Sequence, residues 1–108
     1  MRHQLSHHRL RVYHLARDLA QIVHRHPLED AELRSQARRA AISVVLNIAE
    51  GAGLEGRAGQ RHFRIARGSA LETLAAYELA SDLGEAVPDE ALNDVGYSVV
   101  AMLTKLVR

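Results

Sequence analysis

The chain has 108 residues, enough for one domain with its own apolar core. It has no cysteine, which excludes disulfide frameworks, thiolate metal sites and thiol nucleophiles together. Its net charge of only +1 hides an uneven spread: residues 1–67 hold 12 Arg and no Lys against 6 acidic residues, a balance of +6, and residues 68–108 hold 2 basic against 7 acidic, a balance of −5. Such asymmetry marks either a nucleic-acid surface or a complementary self-contact, against the simpler reading of solvated helix faces. The N-terminal stretch has no apolar run suited to a signal peptide. The longest apolar run, residues 40–46, is interrupted by Ser43 and is too short to span a bilayer. The expectation is a cytoplasmic protein without membrane contact.

Apolar residues recur at helical spacing along most of the chain. Val12, Leu15, Ala16, Leu19, Ile22 and Val23 form the first stripe, and Pro27 ends it by pushing its predecessor out of the α region. Asp30 is the predicted N-cap of a second helix, whose stripe is Leu33, Ala37, Ala40, Ala41, Val44 and Ile48. Gly51, Gly53, Gly56 and Gly59 then make a turn-rich connection. The third stripe is Phe63, Ala66, Ala70, Leu74, Tyr77 and Ala80, with Gly84 as the left-handed residue after the helix. Pro88 and Asp89 open the fourth, carrying Leu92, Val95, Val99, Met102, Leu103 and Leu106. The predicted helices cover about 7–25, 30–50, 58–83 and 89–107, and short connectors make an all-α, antiparallel up-down-up-down four-helix bundle in a single domain. Ile42, Val45 and Leu46 lie off the second stripe, so that helix is apolar nearly all round and must be buried on more than one side. Self-association supplies the second cover.

Residues 51–56 read Gly-Ala-Gly-Leu-Glu-Gly, a formal dinucleotide fingerprint. The fingerprint works between a strand and a helix inside a βαβ unit, and only helical patterning follows here, so it is read as accidental. Histidines pair at helical spacing, as His3 with His7, but without the carboxylate partners of a metal site. Ser43 and Ser69 fall mid-helix, where a hydroxyl bonds back to the preceding turn. With no catalytic constellation, no cofactor and no metal site predicted, the chain is expected not to be an enzyme. Asn47 inside the apolar run demands partners and can set a register. Gly68, interrupting the third helix, predicts a close approach of two backbones, second helix against third. Asn47, Glu50 and Ser69 lining a site is the functional alternative. The arginines are the best functional candidates. Arg34, Arg38, Arg39, Arg57, Arg61, Arg64 and Arg67 gather around the second and third helices, with Arg57, Arg61 and Arg64 on one face, in a pattern suited to phosphates. Aromatics for base stacking are scarce.

Three segments carry a resemblance: Arg39-Ala40-Ala41-Ile42-Ser43-Val44, Asn47-Ile48-Ala49-Glu50-Gly51, and Ile65-Ala66-Arg67-Gly68-Ser69-Ala70-Leu71-Glu72. They resemble the four-helix bundle proteins encoded in 23S rRNA intervening sequences, a family that includes the accessory variability determinants of diversity-generating retroelements. The resemblance covers about Leu10 to Leu106. It implies a homopentameric barrel, and in the retroelement branch a basic surface that binds RNA or DNA and a reverse transcriptase. A net charge of +1 is mild for that branch, so the rRNA-insert or stand-alone branch is the label adopted. Arg39, Asn47, Glu50, Gly51, Gly68, Ser69 and Glu72 stand at the family-pattern positions, most of them with expected structural roles.

Overall fold

A computed structural model describes residues 4–107. Among these there are four α-helices and no strand: α1 Arg11–Arg25, α2 Ala31–Ala52, α3 Gly56–Asp82 and α4 Asp89–Leu106. Each helix lies beside two others in the cyclic order α1, α2, α3, α4, and the diagonal pairs meet only through side chains in the core. The α2–α3 pair is the most intimate. Small residues explain this, because Ala37, Ala40, Ala41, Ala66, Ala70, Ala76 and Ala80 are all buried and keep the side-chain layer between the axes thin.

The core falls into two clusters along the bundle. One joins Val12, Ala16, Val44, Ile48, Phe63, Val99 and Leu103. The other joins Leu19, Val23, Leu28, Ala41, Tyr77 and Leu92. Gly96 is buried too, and the Leu74 side chain occupies the space its Cβ would need.

The first helix begins later than predicted, one residue before its apolar stripe. Ser6–Arg9 forms a 3-10 turn, Leu10 is extended, and α1 starts at Arg11 rather than near His7. Side chains take the local backbone groups: the Leu5 N–H donates to His8 Nδ1 at 3.0 Å, and His14 Nε2 donates to the His8 carbonyl at 3.0 Å. Such local bonds compete with a helical ladder. Desolvation, then the neighbouring His7, His14 and Arg17, pushes the His8 imidazole below its ordinary range, in keeping with Nδ1 as an acceptor. His3 lies outside the described residues. Among the described residues, no group of three or more His, Cys, Asp or Glu is arranged to hold a metal ion, and no helix is long and apolar enough to cross a membrane.

The α1–α2 connection is held by side chains reaching from afar. Pro27 has no N–H to give the Val23 carbonyl, four residues before it. The Tyr77 hydroxyl, buried in the core, stands in: it donates to the His26 carbonyl at 2.7 Å and reaches the Val23 carbonyl at 3.3 Å. The Arg34 guanidinium donates to the carbonyls of Leu28 and Glu29. The Glu85 carboxylate accepts the N–H groups of Glu29 and Asp30. Asp30 in turn caps α2 through the N–H groups of Glu32 and Leu33. Glu85 is placed for this by the end of α3. There Gly84 adopts φ +96°, its N–H bonds the Ser81 carbonyl, and the Glu85 N–H returns to Ala80 in a Schellman closure.

Candidate functional surface

A chain of polar side chains runs along the seam where α2 meets α3. Ser43 Oγ and Ser69 Oγ are 2.8 Å apart. Asn47 Nδ2 donates to the Ser43 carbonyl at 2.9 Å and to its hydroxyl at 3.0 Å. Those bonds leave Asn47 Oδ1 as the acceptor for His62 Nδ1 at 2.8 Å. On its other side the His62 ring, when it carries both protons, pairs with Glu50 through Nε2 and Oε2, 3.2 Å apart. The two serines therefore bond across the helix pair, not back to their own preceding turns as expected. Thr73, Ser98 and Thr104 do bond back, each to the carbonyl four residues earlier.

Asn47 ties two helices at a half-buried position, and its loss leaves His62 Nδ1 and the Ser43 hydroxyl without this partner. Asn47→Ala is expected to cost about 1–2 kcal/mol, read by urea unfolding. His62→Ala added to it should cost little more, because both changes break the same link, and additive losses would show that the two residues act separately.

The close approach predicted at Gly68 occurs elsewhere. Gly68 is exposed, and a Cβ there would meet nothing within 4 Å. The glycines where backbones do approach are Gly51 and Gly59, at the end of α2 and the start of α3. Gly56, between them, takes φ +62° at the turn. The Gly-Ala-Gly-Leu-Glu-Gly run thus serves a tight helix–turn–helix junction, and α2 feeds it where a nucleotide fold would have a strand.

The arginines divide into groups. Arg34 is half-buried and committed to the α1–α2 connection. Arg67 is half-buried and donates Nε to Thr104 Oγ1 at 2.8 Å, bridging α3 to α4. Arg38 is exposed and edges a recess between α1 and α2 with Ala20, Val23, His24 and Ile42. Arg39 is exposed and edges an open recess between α2 and α3 with Gln36, Ser43, Ser69 and Glu72. Arg57, Arg61 and Arg64 are exposed on the first half of α3, at steps of four and three residues that share one face. Arg39 neighbours Ser69 and Glu72 in the middle of α3, so the α2 arginines and this trio sit at different levels of the bundle. One continuous seven-arginine patch does not form.

His62 was not singled out from the sequence. The signal was present in the turn: residues at matching distances from the Gly53–Glu55 connection face each other, as Gly51 does Gly59, and Asn47 then falls opposite His62. The fold also leaves large apolar side chains in solvent. Ile42 and Leu46 are 54% and 57% exposed, with Ile65, Leu71 and Tyr97 also open.

No curated protein matches the chain. A family profile described as 23S rRNA-intervening sequence protein matches residues 8–105, which take in all four helices but the last residue of α4, with the Asn47–Gly51 and Gly68–Glu72 segments. The chain belongs to the 23S rRNA-intervening sequence protein family.

Proposed function

We propose that this chain is a non-enzymatic, up-down-up-down antiparallel four-helix bundle that assembles into a homopentamer and binds RNA or DNA phosphates. The α2–α3 pairings support the antiparallel arrangement, since Gly51 meets Gly59, Asn47 meets His62 and Ser43 meets Ser69 in reverse order. Exposed Ile42 and Leu46 on the most apolar helix support a self-contact. The observation that carries phosphate binding is the exposed Arg57, Arg61 and Arg64 face of α3. Guanidinium groups repeated along one face suit a phosphate backbone, and they hold it by charge rather than by sequence.

The test is fluorescence anisotropy with a labelled structured RNA and a DNA duplex at about 50 and 200 mM salt. Affinity should fall steeply with salt. Replacing the three arginines by alanine should flatten the salt slope by roughly one unit per lost contact. Binding that ignores both salt and the triple variant would reject the reading. The second reading is a protein-interaction scaffold, such as an accessory protein to a reverse transcriptase, and the exposed apolar side chains of α2 favour it. An assembled protein indifferent to both nucleic acids would select it.

A further inference from the structure

Two seams on opposite sides of the bundle carry opposite charge. Between α1 and α2, two adjoining recesses of about 280 Å³ each share Ala20 and Ile42. Apolar Val23, Val45 and Leu46 line them, Arg17, His24 and Arg38 edge them, and no carboxylate does. Between α3 and α4, a recess of about 300 Å³ is lined by Leu71, Leu74, Ala75 and Tyr97 and edged by Glu78, Asp82 and Asp89, with no cation. In the cyclic order of the helices α1–α2 and α3–α4 are opposite pairs, so these two seams lie on opposite sides of the bundle.

The Arg38 end of the basic seam sits at the level of the acidic recess. Val23 and Ala41, under the basic seam, belong to the same core cluster as Tyr77 and Leu92, under the acidic one. A contact joining one seam to the other thus passes from copy to copy without a step along the bundle axis. A head-to-tail contact of that kind closes into a ring when its rotation fits, whereas a stepped one winds into a filament.

We infer that the basic α1–α2 seam of one copy receives the acidic α3–α4 seam of the next, with Ile42 and Leu46 covered by the neighbour's Leu71 and Tyr97. This rests on the ring proposed above and names its contact surfaces. Charge complementarity selects a second copy as the occupant: each seam presents what the other lacks, and both belong to one chain. Such pairing also sets the partner's direction, because basic seam against basic seam repels. Arg38 then serves the self-contact.

Charge reversal tests it, with mass by light scattering and helicity by circular dichroism. Arg17→Glu with Arg38→Glu should leave the chain near one subunit's mass at concentrations where the parent protein is assembled, and so should Glu78→Arg with Asp82→Arg. All four changes in one chain should restore the parent mass, since both seams are then inverted. Folded double variants that keep the parent mass would overturn the pairing while the ring stands. A parent protein that is monomeric throughout would overturn the ring and the pairing with it. Cross-linking gives a second readout should a charge variant misfold. The chain has no cysteine, so Ile42→Cys with Ala75→Cys offers two exposed thiols to a short bis-maleimide. Ladders of linked subunits are expected from the pair, and only unlinked chains from Ala75→Cys alone. Linked dimers from that single variant, or no ladder from the pair, would reject the head-to-tail contact.

Discussion

Gly59→Ala is expected to be among the most damaging single changes in the chain. A methyl group there would sit 2.7 Å from the Leu54 carbonyl oxygen and 2.9 Å from that of Gly51. Both obstacles are backbone, at the junction of α2 and α3, and neither can rotate aside. Overpacking of this kind typically costs about 1–3 kcal/mol, and the rigid neighbours put Gly59 at the upper end. At roughly 4–8 °C per kcal/mol for a domain near this size, the melting temperature should drop by about 10 °C or more. Gly68→Ala on the same helix should do the reverse. Open space surrounds Gly68, and alanine gains about 1 kcal/mol of helix propensity over glycine. Thermal unfolding of the two variants side by side checks both signs. A Gly68→Ala protein that folds more firmly yet loses subunits would show that a neighbouring copy occupies that space.

Tyr77→Phe should lower stability at neutral pH and change its pH dependence at high pH. Its hydroxyl serves the His26 carbonyl and the Val23 carbonyl that Pro27 leaves without a partner. Removing that donor strands them at the end of α1, at a cost of about 1–2 kcal/mol. Burial pushes the Tyr77 phenol from 10.0 up to about 12, with the nearby Glu85 adding to the rise and Arg38 opposing it. The folded state thus holds the proton more tightly than the unfolded chain does. The associated stability is complete below pH 10 and is lost as pH climbs from 10 toward about 12. Urea midpoints measured across that window should fall more steeply for the parent protein than for Tyr77→Phe. Parallel slopes would mean that Tyr77 titrates alike in both states.

The helices were legible because their information is local. Stripes such as Val12–Ala16–Leu19–Val23 and Leu92–Val99–Leu103 repeat with the helical period, and burial follows them. Asp30, Gly84 and the Pro27 break are equally local signals, and the cap, the left-handed turn and the end of α1 occur there. The start of α1 was misread because His8 and His14 bond to nearby backbone, a competition invisible to apolar periodicity.

The candidate surface was only half legible. Its residue types were visible, in Asn47, Glu50, Ser69 and the arginines, but their partners were not. Whether Ser43 bonds to its own helix or to Ser69 depends on how closely α2 approaches α3. Whether an arginine is available depends on which distant groups need it: Arg34 goes to the Leu28 carbonyl and Arg67 to Thr104. By itself, then, the sequence determined four amphipathic helices, their breaks, and a chain basic in its first part and acidic in its second. Tertiary structure decided which glycines carry the close packing, that His62 completes the Asn47 chain, and that the two charge signs face outward from opposite seams. The reason is physical: helix formation follows the spacing of side chains along one strand of sequence, while packing depends on distances between segments that only folding brings together.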